Sequence, residues 1–198
     1  MAMEENIDPS GKTYGLYYQF GRKDPFPYNA YNNIYKKISV PSVNESHEIT
    51  YSVAHANTYI NTGSEWCKNN QYSSEKWNTP YWYPCKTKGL FDPCPIGWRL
   101  PEKNIWDGLI KAYSIYKNAI QLALNGVANG DKACYPPAGF FAISVNLAGV
   151  EASCLSNTAR DVNYSIRLAS YGGSAPAIGD DYYDGRKARA FQTRCVQE

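Results

Sequence analysis

Residues 91–106 read Phe-Asp-Pro-Cys-Pro-Ile-Gly-Trp-Arg-Leu-Pro-Glu-Lys-Asn-Ile-Trp, and they constrain the fold more than any other part of the 198-residue chain. Pro93 and Pro95 flank Cys94; each fixes φ and removes a backbone donor, which rules out a helix at the cysteine. Ile96 and Gly97 turn the chain. Trp98 brings a large ring that favours burial, so it is expected in the core. Pro101 suits a first helical position, where its missing N–H costs nothing. Ile105, Trp106, Leu109, Ile110, Tyr113 and Tyr116 then recur at three- and four-residue steps. That spacing predicts one apolar face of a helix of roughly four turns.

The rest of the chain is long enough for one large domain with its own core. Twenty basic residues stand against 18 acidic ones, a net charge of +2. Such a balance argues against a nucleic-acid partner. No apolar run reaches the ~18 residues of a membrane helix, so no direct membrane insertion is expected. The opening Met-Ala-Met-Glu-Glu-Asn has neither a basic start nor an apolar core, and no export signal is legible in it. Six cysteines stand at 67, 85, 94, 134, 154 and 195. The even count fits disulfides, with roughly 15 pairings open. There is no Cys-x-x-Cys, and His47 and His55 lack zinc-finger spacing, so no metal or cofactor is expected. Disulfides in turn point to an oxidising, extracellular or cell-surface destination. The 18 tyrosines fit either an exposed recognition surface or the strands of a β-rich domain.

Taken in order, residues 1–13 read as a loose lead-in and 14–198 as a single domain. Residues 14–20 read as a strand, 49–53 as a second, and 54–60 as a short helix or turn. Residues 63–88 hold Trp66, Trp77 and Trp82 without clear periodicity, which suggests a lid over the core. Cys67 and Cys85 bracket that segment, and a bridge there would hold it closed. Residues 118–124 read as a continuation of the helix. Asn125-Gly126 and Asn129-Gly130 are turn signals. Strands are expected at 140–147, 165–169 and 191–196, with polar loops at 156–164 and 171–186. The class is α+β.

Catalytic motifs are missing. There is no Gly-x-Ser-x-Gly, no His-Glu-x-x-His and no P-loop. His55 beside a cysteine nucleophile is less favoured than His55 as an ordinary turn residue. Asp180, Asp181 and Asp184 offer oxygen ligands for Ca²⁺, but a solvated acidic turn is the favoured reading. No enzymatic activity is expected.

The run from Asp92 to Pro101 resembles the DPCPxGWRxP signature of the Fibrobacter succinogenes major paralogous domain, common in exported proteins of gut Bacteroidetes and often found beside fimbrillin-like modules. The runs from Gly15 to Phe26, Pro137-Ala138-Gly139-Phe140, and Arg189 to Val196 agree with it. The resemblance spans roughly residues 14–198. It implies a C-type lectin-like fold, with short twisted antiparallel sheets, one main helix near 101–117 and long loops. It also implies a Cys94–Cys195 disulfide, beside which Cys67–Cys85 and Cys134–Cys154 are the further expected pairs. The helix start is similar to the formylglycine-generating-enzyme branch of that fold. The redox pair of that branch is only half matched: Thr193-Arg194-Cys195-Val196 resembles one position, and the nearest earlier cysteine is Cys154. The loop motifs of calcium-dependent lectins are echoed only by Trp77-Asn78-Thr79, in the wrong half of the chain. Residues 152–160 also depart from the "YWSS"-like run of the family. The Tyr/Asn/Asp/Ser mixture that follows resembles, in composition and position, the variable proteins of diversity-generating retroelements.

These readings lead to a secreted or surface-displayed, adhesin-like binding domain whose partner is a glycan or a host or bacterial surface protein. Tyr164, Tyr171, Tyr182 and Tyr183 are expected to supply flat contact area. Asn157, Arg160, Asp161, Asp180, Asp181 and Asp184 are expected to supply hydrogen bonds and charge. The two polar loops are expected to share one face. The alternatives are a pilus or fimbrial module, a component of a phage particle, and an oxidase of the formylglycine-generating type.

Overall fold

The computed structural model describes residues 15–27, 41–63, 65–67, 88, 91–123, 132–142, 144–160, 163–179 and 186–197. The expected lead-in 1–13, Trp77, Trp82, Cys85 and the two Asn-Gly pairs lie outside these residues. The first half of the chain gives β1 (Leu16–Gln19), β2 (Phe26–Pro27), β3 (Ser42–Val43), α1 (Ile49–Ala54), β4 (Tyr59–Ile60), β5 (Trp98–Arg99) and α2 (Lys103–Leu109). There follow β6 (Tyr113–Tyr116), β7 (Ala119–Ala123), β8 (Lys132–Tyr135), β9 (Phe140–Ala142), β10 (Ser144–Asn146), β11 (Glu151–Ala159), β12 (Ser165–Tyr171), β13 (Ala177–Gly179), β14 (Ala190–Thr193) and β15 (Val196–Gln197). The architecture is mixed and mostly sheet with two short helices, in line with the α+β class.

The main sheet runs β10-β9-β14-β11-β12-β13, with β1 and β2 joined to it at β14. β14 is its hub. It pairs antiparallel with β1 (Tyr18↔Phe191), parallel with β11 (Cys154↔Gln192), and with β9 at Ala190↔Phe141. Successive strand residues face opposite sides. One side of the sheet therefore buries Leu155 and Phe191 with Phe20, Leu100 and Cys94. The other buries Ala152, Cys154 and Leu168 against Trp106 of α2 and Ile120 and Leu122 of the small sheet β6-β7-β8. Tyr17, Phe26, Tyr59, Phe141 and Ala190 make a further apolar cluster.

Several elements differ from expectation. The helix ends at Leu109, and Tyr113–Tyr116 is a strand paired with Ala119–Ala123. Gly108 weakens the last turn, and aromatic and β-branched residues favour the strand once β7 offers a partner. Of the expected continuation over 118–124, the described residues 118–123 therefore do not continue a helix. The β6–β7 turn holds Lys117 and Asn118 at φ 48° and 64°. Residues 49–53 form α1 rather than a strand. The cause is tertiary: the buried guanidinium of Arg22 donates to the carbonyls of Ala56 at 3.1 Å and Thr58 at 2.8 Å, just past the helix end. Burial pulls the Arg22 pKa down to about 10, so it stays protonated at neutral pH. Residues 140–147 split into the antiparallel pair β9–β10. Residues 191–196 split into β14 and β15. Residues 156–159, expected in a loop, belong to the nine-residue strand β11, which is buried along its whole length.

The Cys94–Cys195 disulfide is present, with Cα atoms 5.8 Å apart. It locks the end of β14 to the Pro-Cys-Pro loop, and β15 pairs beside it with β5 (Val196↔Arg99). Asp92, buried, holds the same loop by accepting the backbone N–H of Cys94 at 2.8 Å and of Leu100 at 2.9 Å. Lys88 Nζ closes the knot on Asp92 at 3.2 Å. Of the other two expected bridges, Cys134–Cys154 is not formed, and Cys67–Cys85 involves a residue outside those described. Cys134 and Cys154 carry buried thiols. Cys154 packs with Ala133 and Tyr135, whereas Cys134, between those two on β8, packs with Ala119. Alternation along β8 thus turns the Cys134 side chain away from Cys154. Cys67 is also a buried thiol, and Cys85 lies outside the described residues. Trp98, expected in the core, is 43% exposed. It stands on a two-residue strand with β15 as its one neighbour, past a turn closed by the Trp98 N–H to the Pro95 carbonyl at 3.0 Å.

Candidate functional site

The hairpin joining β11 to β12 has its turn at one end of the main sheet, and the expected site residues are best tested there. The Arg160 N–H donates to the Tyr164 carbonyl at 2.9 Å, and the Arg160 guanidinium lies 5.5 Å from the centre of the Tyr164 ring. Tyr164 bridges Arg186, and the Lys187 N–H donates to the Asn163 carbonyl at 2.9 Å. On the neighbouring strand pair, Arg167 faces Gly179 in register. The chain thus leaves β13 at Gly179 and returns at Arg186, both beside the first residues of β12. The stems of the two polar loops meet here. Asp161 and the segment Asp180, Asp181, Tyr182, Tyr183 and Asp184 lie outside the described residues.

Two expected site residues are not part of this group. Asn157 is 2% exposed. Its N–H donates to the Pro101 carbonyl at 2.9 Å, and its side-chain oxygen accepts the Thr158 hydroxyl at 3.3 Å. With the Lys103 N–H on Thr158 Oγ1 at 3.2 Å, it ties β11 to the start of α2. Tyr171 is 38% exposed but stands at the far end of β12. Six strand steps of about 3.3 Å put it some 20 Å from Ser165. There it faces Glu151 across the pair and opens the turn closed by the Ser174 N–H on the Tyr171 carbonyl. Sequence reasoning missed Asn163 and Arg186. The signal for Arg186 was its place at the end of the second polar loop.

Farther along the same two strands lies a charged yet buried pair. Arg167 pairs with Glu151, donates to Ser153 Oγ at 2.6 Å and lies 4.8 Å from the centre of the Phe191 ring. Such a pair holds its strands in one register, since removing either partner strands a buried charge. Among the described residues no cluster of three or more His, Cys, Asp or Glu side chains is placed to hold a metal ion. The thiol of Cys154 is buried and pushed up to about 12 by desolvation, so at neutral pH it is a protonated, poor nucleophile. Cys195 is committed to Cys94. What the hairpin end offers a ligand is a guanidinium, a phenol and amide groups, which suits hydrogen bonding and ring stacking.

Comparison with protein families, with curated proteins and with solved structures finds no match.

Proposed function

We propose that the chain is a secreted or surface-displayed binding domain with a C-type lectin-like fold. Its partner is a glycan or a surface protein, met by the loops at the Arg160–Tyr164 end of the sheet. The observation that supports this reading is the convergence of Arg160, Asn163, Tyr164, Gly179 and Arg186, which brings the stems of two polar loops together. In sequence, Asp180, Asp181, Tyr182, Tyr183 and Asp184 lie between Gly179 and Arg186. A pilus module taking up a partner strand is less favoured, because β10 and β13, at the ends of the sheet path, are three residues each. Diversification of the 180–184 residues, as in retroelement variable proteins, fits the same surface.

The test is a glycan and surface-protein array probed with wild type, Arg160→Ala, Tyr164→Ala and Asp181→Ala, with Tyr171→Ala as the distant control. For the ligand that wild type captures, at least one of the first three variants is expected to lose about 2 kcal/mol or more of binding. Tyr171→Ala is expected to bind normally. Unchanged binding by all three, or loss confined to Tyr171→Ala, would place the site elsewhere.

A further inference from the structure

Glu65 and Lys187 come from distant segments of the chain and meet inside the fold. Lys187 is 0% exposed and Glu65 7%. The Lys187 amine lies 3.2 Å from Glu65 Oε2. The other carboxyl oxygen, Oε1, accepts the Cys67 backbone N–H at 3.1 Å, and the Trp66 backbone N–H also bonds the carboxyl group. The Phe20 ring centre is 5.6 Å from the amine, and the buried indole of Trp66 adjoins the carboxylate in sequence. These are the parts of an acyl-transfer site: an amine in contact with a carboxyl group, and a backbone donor on the oxygen that gains charge.

We propose that Glu65 and Lys187 are joined by an intramolecular amide bond formed by the protein itself. Burial disfavours both charges, and desolvation pushes the Glu65 carboxyl up even against the pull of Lys187. A proton passing from the ammonium to the carboxylate gives the neutral amine and acid. The amine nitrogen then attacks Glu65 Cδ. The developing oxyanion at Oε1 is held by the Cys67 N–H group. The nitrogen gives up a proton, Oε2 gains one, the Cδ–Oε2 bond breaks and one water leaves. No oxidant or cofactor enters, and a water-poor site favours the amide over its hydrolysis. The neighbouring Cys67 thiol, pushed up to about 12 by burial, stays protonated and does not compete for the carboxyl carbon.

The experiment is intact-mass measurement of the full chain after reduction and denaturation, followed by proteolysis and peptide sequencing. The expected result is a chain lighter than its sequence by one water, with a branched peptide joining the Glu65 and Lys187 segments. That branched peptide should survive brief alkali, which opens the cyclic imides that also lose water. Lys187→Arg is expected to run at full sequence mass. Should Lys187→Arg fail to fold, Glu65→Gln provides a second test, since it forms the same amide by releasing ammonia and yields the same branched peptide. A folded wild-type chain at full sequence mass, with both segments recovered as linear peptides, would overturn the proposal.

Discussion

At the scale of single residues, two positions make their physics plain. Gly139 has φ 67°, and a Cβ there would stand 1.9 Å from the Asn146 carbonyl oxygen and 2.8 Å from the Ala148 nitrogen. Both are backbone atoms, held by the Gly139 N–H on Glu151 at 2.7 Å and the Gly149 N–H on Pro137 at 2.6 Å. A left-handed alanine alone costs about 1–2 kcal/mol, and the clash adds to it. Gly139→Ala is therefore expected to lower stability by about 3 kcal/mol or more, read from urea unfolding. The second position is Cys154, with Tyr135 beside it. Burial pushes both groups up to about 12, from ordinary values of 9.0 and 10.0. A raised value means that the fold disfavours the ionised form. That stability is fully present below the unfolded values and is lost as pH climbs toward about 12. The urea midpoint is expected to fall steadily above pH 9.0. The fall should be shallower in Cys154→Ala, and an equal fall in both proteins would remove Cys154 from the account.

At the scale of elements, α2 shows how little of its stability is local. Seven residues are too few for a helix to persist alone, so packing must hold it. Trp106 supplies that packing: buried against Ile120, Leu122 and Leu168, it donates its indole N–H to the Tyr135 hydroxyl at 3.3 Å. Trp106→Ala is expected to cost roughly 3–5 kcal/mol. Tyr135→Phe, which removes only the hydroxyl, should cost about 1 kcal/mol. Thermal and urea melts of the two variants check the ratio. The core role of Trp106 was legible because Ile105, Trp106, Leu109 and Ile110 keep helical spacing. The end of the helix was not, because Tyr113 and Tyr116 extend that spacing while also suiting a strand, and the pairing with β7 decides between them. β11 was hidden for a related reason. Its Ser153, Ser156, Asn157 and Thr158 look like loop residues, yet all are buried. The partners that satisfy them, Arg167, Ile166, Pro101 and Lys103, come from other segments.

At the scale of the whole molecule, the Cys94–Cys195 bridge closes a separation of 101 residues. In the chain-entropy model that is worth about 4–5 kcal/mol. Replacing both cysteines by serine is expected to lower stability by about that amount in urea titrations. The pairing was expected from the family resemblance carried by the stretches around those two cysteines; the buried thiols were not, because spacing says nothing about which side of a strand a sulfur faces. The candidate site was legible in part. Arg160 and Tyr164, both named from the sequence, meet at the hairpin end, but the length of β12 carries Tyr171 away, and that length follows from pairing with β11 rather than from its own residues. The position of the hub strand bears on how the molecule is made. β14 comes after β1, β9 and β11, the three strands it joins. Until residues 190–193 leave the ribosome, those strands wait with their hub-facing edges open. Closure depends on contacts between distant parts of the chain, which are slow to form. Newly made chains therefore pass through an interval in which they are prone to aggregate and benefit from a chaperone, and any chain cut short before residue 190 never leaves it.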